Sequence, residues 1–126
     1  MTTRSAPRAD VAHLSDEMPL LGVDHLELYV GNATQAAYFY AHAFGFREVA
    51  YAGLETGSRD RVSHVMQQGD VRLVLTGGLR PDGEVARHVA RHGDAAKVIG
   101  LTVPDAERAY RTAVSKGARA VHEPHE

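Results

Sequence analysis

The chain repeats itself. Laying residues 30–49 over residues 103–121 matches Val30 with Val103, Asn32 with Asp105, Ala33 with Ala106 and Ala36 with Ala109 at a shift of 73. After one deletion, Gly45 falls on Gly117 and Val49 on Val121. A short unit of this kind cannot bury its apolar face alone, so a second copy in the same chain points to paired supersecondary modules sharing a core.

The content of the unit follows from its periodicities. Residues 23–30 alternate strictly, placing Leu26, Leu28 and Val30 on one face and His25, Glu27 and Tyr29 on the other, the pattern of a strand. Gly31 and Asn32 break it, and Asn32 is suited to cap a helix, with Gln35 positioned to reach back. Ala33, Ala36, Ala37, Tyr40 and Phe44 then recur at helical spacing until Gly45, predicting a helix over residues 33–44. A strand is expected over 46–51, a loop over 53–58, and a hairpin from 61–67 and 71–75 joined at Gln68-Gly69-Asp70. Gly77, Gly78 and Pro81 read as a linker, followed by a short helix over 84–92 that stops at Gly93.

The copy offers a strand over 97–103, a helix over about 106–116 and the start of a strand at 119–121, and has no closing hairpin. The expected organisation is therefore α+β. It comprises a disordered tail over 1–19, a complete βαβββ module over 20–79, a linker with a short helix over 80–95 and a truncated second module over 96–126.

Composition narrows the partners. With 14 Lys and Arg against 16 Asp and Glu, the formal charge is −2, too balanced to attract a nucleic-acid backbone or an anionic membrane. No apolar run is long enough to span a bilayer, and the first 17 residues lack the apolar stretch of a secretory signal. Zero cysteines remove disulfides, thiolate nucleophiles and sulfur-ligated metals. Any metal would need nitrogen and oxygen donors, and eight histidines make that the first chemistry to weigh.

Three arrangements could supply it. His25 and Glu27 lie two apart on one strand face, with Cα atoms about 6.5–7 Å apart, but iron sites of this type use two histidines and a carboxylate. His64, on another strand, could complete the set if it faced the same side, which periodicity leaves open. His88 and His92 are spaced i, i+4 on the short helix, half of an H-E-x-x-H zinc motif with Val89 where the general base belongs. Asp24 beside His25 suggests a relay pair, although adjacent strand residues point to opposite faces. Among Tyr38, Phe39 and Tyr40, the last lies on the apolar helix face and reads as core.

Residues 23–33 (VDHLELYVGNA), 35–40 (QAAYFY) and 43–46 (AFGF) resemble the start of the 4-hydroxyphenylpyruvate dioxygenase family. So do 51–53, 56–59, 73–76, 88–94, 103–106, 117–121 and 123–124, in order over about residues 20–126. The resemblance implies the vicinal oxygen chelate fold of the glyoxalase, bleomycin-resistance and dioxygenase proteins, built from paired βαβββ modules. It implies oxidation of 4-hydroxyphenylpyruvate, a small aromatic α-keto acid, by O₂ to homogentisate and CO₂ at Fe(II), in tyrosine catabolism. It also implies a cytoplasmic enzyme that is a homo-oligomer when complete. In that family the iron ligands belong to the C-terminal domain, so the resemblance transfers no catalytic, cofactor-binding or metal residue to this chain, which is expected to be inactive alone. The position matching His25 in the second module is Val98.

Two other readings stand beside this one. 4-Hydroxymandelate synthase has the same fold, iron and substrate, and the residues that separate it lie in the missing part. A stand-alone small-molecule-binding protein of the same fold would dimerise to build its cup and would need two complete modules or a swapped strand pair. An independent metalloenzyme built on His25, Glu27, His64 or the His88/His92 pair is not expected, because no triad can be assembled from these strands.

Overall fold

The computed structural model describes residues 17–125; most of the expected tail lies outside them. In chain order the elements are β1 (Gly22–Val30), α1 (Ala33–Phe44), β2 (Arg47–Ala52), β3 (Arg61–Gln68), β4 (Val71–Gly78), α2 (Glu84–His92), β5 (Ala95–Thr102) and α3 (Ala106–Ser115), with one 3₁₀ turn at Leu54–Thr56. The strands form one mixed sheet in the order β2-β3-β4-β1-β5. β1 runs parallel to β4, while β2–β3 and β3–β4 are antiparallel.

The helix boundaries follow from local chemistry. Asn32 accepts a hydrogen bond from the Gln35 amide at 3.0 Å, and Gly45 ends α1 in the left-handed region at φ 78°, where a side chain would be strained. The copy uses the same devices one repeat later. Asp105 accepts from the Arg108 amide at 3.0 Å, and Gly117, one residue past the C-cap Lys116, has φ 101°. Asn32 and Gln35 map onto Asp105 and Arg108 at the 73-residue shift, so the duplication extends to the capping hydrogen bonds.

The described residues divide into two compact units, residues 23–100 and residues 17–22 with 101–125. In the first, α1 lies against the sheet, and Ala37, Met66, Leu73 and Leu75 form the core with Leu26, Leu28, Ala36, Tyr40, Ala41 and Phe46 packed around them. The alternation predicted this face, and it places Tyr40 in the core and leaves Tyr38 and Phe39 exposed. In the second unit, the Leu21 amide donates to the Thr102 carbonyl at 2.8 Å, and Lys116 pairs with Glu17 at 2.6 Å.

Two expectations are corrected. Gly77 and Gly78 belong to β4 rather than to a linker, because Val30, Val62 and Arg61 supply register partners for them. Residues 119–121 are not a strand: the segment's own β-propensity is insufficient without a ladder, and no described strand pairs with it.

Candidate functional site

Register through the sheet decides which side chains meet. From β1 through β4 to β3, one row holds Leu28, Leu75 and His64, and the next holds Tyr29, Thr76 and Ser63. Side chains alternate across a strand. His64 therefore lies on the α1 face, and His25, Glu27 and Tyr29 lie on the opposite face with Thr76 and Ser63.

On that second face a short hydrogen-bond chain crosses three strands. Thr76 Oγ1 donates to Glu27 Oε2 at 2.7 Å and lies 2.8 Å from Ser63 Oγ. A threonine hydroxyl has one proton, which Glu27 receives, so Ser63 is the donor to Thr76. Thr76 is fully buried, and both of its polar contacts are needed to offset that burial. Beside this chain, Arg61 Nη1 donates to Tyr29 Oη at 3.3 Å. Sequence reasoning missed Ser63, Thr76 and Arg61, and only the polar Thr76 ending the apolar run 73–75 hinted at them.

His25 and Asp24 do pair, contrary to the expectation from strand alternation. His25 Nδ1 lies 2.7 Å from Asp24 Oδ2. Alternation fixes the directions of the Cα–Cβ bonds, whereas these half-exposed side chains near the strand's start swing their ends together. The hydrogen bond from His25 holds the Asp24 carboxyl below its ordinary pKa. Across β5, the His25 ring lies over Gly100: a Cβ there would come within 2.5 Å of His25 Nδ1. Gly100 is the repeat counterpart of Glu27.

His64 is occupied on its own face. Its Nδ1 lies 2.8 Å from Glu48 Oε1 and its Nε2 lies 3.4 Å from Thr34 Oγ1. A β-bulge at Val49, between the pairs Glu48–Met66 and Ala50–Val65, adds one residue to β2 and puts both Glu48 and Tyr51 on the His64 side.

His88 and His92 share a face of α2 as their spacing predicts, with ring centroids 4.7 Å apart. His88 meets Tyr29 edge-on at 5.3 Å, and its Nδ1 is buried without a hydrogen-bond partner. Desolvation, reinforced by His92 and Lys97, holds this imidazole below its ordinary pKa.

These positions do not fit a two-histidine, one-carboxylate iron centre. His25 and Glu27 share a face, but the nearest further histidine on the sheet, His64, points the other way. Among the described residues no three His, Asp or Glu side chains come together in a metal-binding group. What the face offers is hydrogen bonding: a carboxylate held by the Thr76 hydroxyl, itself held by Ser63, an oriented imidazole and a tyrosine–arginine pair.

Residues 22–126 match the family model of the Glyoxalase/Bleomycin resistance protein/Dioxygenase superfamily. The chain belongs to this superfamily. Its fold is the glyoxalase, or vicinal oxygen chelate, fold. Among relatives of this superfamily member, 4-hydroxyphenylpyruvate dioxygenase of Yarrowia lipolytica is 45% identical over 107 residues, which is 82% of this chain and 27% of the relative. A triple mutant of 4-hydroxymandelate synthase from Streptomyces coelicolor superposes with a TM-score of 0.80 at 39% identity, over 84% of this chain and 32% of that one. Methylmalonyl-CoA epimerase from Mycobacterium tuberculosis shares the fold with a TM-score of 0.73 at 18% identity, over 88% of this chain and 74% of that one. The chain thus spans about a quarter to a third of the dioxygenases it matches, in their N-terminal part. No helix among the described residues is long and apolar enough to cross a membrane.

Proposed function

We propose that this chain is the N-terminal, non-metal-binding part of a 4-hydroxyphenylpyruvate dioxygenase, an Fe(II) enzyme that converts 4-hydroxyphenylpyruvate and O₂ to homogentisate and CO₂. One observation carries the reading: 45% identity runs through 107 residues of a relative so named, while this chain makes up only 27% of that relative's length. The geometry supports the division of labour, because His25 and Glu27 face away from His64 and no iron ligand set forms from them. In this reading residues 20–79 are a complete module and 96–126 open a second one. The role of the chain is to present its sheet and helices to the remainder of the enzyme, and by itself it turns over nothing.

A chimera tests this. Residues 20–126 replace the matching N-terminal part of the Yarrowia lipolytica enzyme, and homogentisate is measured with Fe(II), ascorbate and 4-hydroxyphenylpyruvate. The expected outcome is product from the chimera and none from the 126-residue chain alone. Turnover by the chain alone overturns the proposal, as does a folded, iron-loaded chimera that makes no product.

The second reading is the corresponding part of a 4-hydroxymandelate synthase, favoured by the 0.80 TM-score to that enzyme. The same substrate would then be hydroxylated on its side chain. The product formed by the complete natural enzyme, homogentisate or 4-hydroxymandelate, separates the two.

A further inference from the structure

The His88/His92 pair looked from sequence like half of a zinc motif, but its surroundings have the opposite electrostatic character. Glu84, Arg87, His88, Arg91 and His92 stand at i, i+3, i+4, i+7 and i+8 on α2 and so form one continuous stripe. With Lys97 of β5 they line an open recess of about 280 Å³. Three fixed cations face one carboxylate there, and Glu84 already has Arg61 Nη2 at 3.6 Å. Among the described residues, Arg87, Arg91 and Lys97 enter none of the ion pairs.

A divalent cation placed between the imidazoles would add to this positive field. An anion would discharge it. Two arginine forks and an ammonium around a shallow recess suit the oxygens of a phosphate or a carboxylate. We propose that the α2 stripe and Lys97 form a binding site for a small dianionic oxyanion, a phosphate or a dicarboxylate.

His88 reports on the site. It faces His92, Arg87, Arg91 and Glu84 on its own helix, Lys97 on β5, and Tyr29 on β1 with Arg61 bonded to it. Its imidazole is held below the ordinary histidine pKa by desolvation and then by His92 and Lys97. A bound dianion offsets the cationic part of that effect, so binding raises the midpoint of His88 and, by linkage, strengthens as pH falls.

The test follows the imidazole carbon-bound protons of His88 and His92 by NMR as the chain is titrated with inorganic phosphate or malonate, against sodium chloride at equal ionic strength. A saturable rise of the His88 midpoint with either dianion is expected, and the tighter of the two names the ligand class. Arg91→Gln and Lys97→Gln are each expected to weaken binding about three- to fivefold, the size of one exposed charge pair, with melting curves confirming that both variants fold. A response no larger than that to chloride overturns the proposal. So do folded charge variants with unchanged affinity, or Zn²⁺ occupying the pair in phosphate-free buffer while neither dianion binds.

Discussion

The imidazole of His25 fills the space that a side chain at position 100 would need. Positions 27 and 100 correspond in the sequence repeat, so where the first copy places a carboxylate the second leaves room for the first copy's histidine. Gly100→Ala forces the ring to turn and breaks its 2.7 Å contact with Asp24. The expected cost is about 1 kcal/mol, the low end for overpacking because the ring is half-exposed. His25→Ala with Gly100→Ala should recover most of it, and urea denaturation of the four-member cycle measures the coupling. Strictly additive costs would show that the two positions do not interact.

Thr76→Val keeps the shape of a fully buried side chain and removes its hydroxyl. Ser63 then has nothing to donate to and Glu27 Oε2 loses its donor. A loss of about 1 kcal/mol is expected, the low end of the penalty for unmade hydrogen bonds because Ser63 and Glu27 are only half-buried. Thr76→Ser keeps the hydroxyl and should cost less. Chemical denaturation of both variants checks the order, and a Ser variant as unstable as the Val one would count against the hydrogen-bond chain.

Stability should rise with pH through the histidine range because of His88. Its folded pKa lies below the ordinary histidine value of 6.5, so the unfolded chain binds more protons than the folded one as pH falls below about that value, and stability drops. His88→Gln removes this contribution and flattens the slope between the folded midpoint and pH 6.5. Melting temperatures across that interval, for both proteins, give the comparison. Asp24 acts in the acid range with the same sign: its carboxyl is depressed from 3.8, so its contribution is complete above that value and lost as pH falls through the lower folded midpoint.

Amide exchange should separate the sheet from the segment that follows α3. The Ala118 amide still bonds to the Ala113 carbonyl at 3.0 Å, but from Arg119 to His125 no strand or helix is formed. Near-zero protection is expected there against strong protection in β4. Protection of residues 119–121 approaching that of β4 in the isolated chain would mean that another strand has paired with them.

Metal content gives a further check on the site. After purification in the presence of Fe(II) and dialysis, iron should stay far below one per chain, since a pair of donors leaves a catalytic iron short of its ligand set. Stoichiometric iron retained by the 126-residue chain, and lost in His25→Ala, would establish a centre on the His25 face.

Local chemistry was legible in the order of residues. The alternation of 23–30, the Asn32 and Gly45 boundaries of α1, the limits of α2 and the repetition of the N-cap at Asp105 depend on neighbours within a few positions, and the structure reproduces them. The duplication and the family membership were legible as well, because both are properties of sequence order. What the order of residues could not contain was the register between distant strands. The β1–β4 pairing of Tyr29 with Thr76 and the β4–β3 pairing of Thr76 with Ser63 sent His64 to the helix face and assembled Glu27, Thr76 and Ser63 on the other. A slip of one residue in either ladder would reverse those faces. The bulge that turns Glu48 toward His64, the bending of Asp24 onto His25 and the seating of His25 on Gly100 belong to the same class. Each depends on contacts between segments far apart in the chain or on side-chain ends beyond the Cβ, and tertiary packing alone determined them.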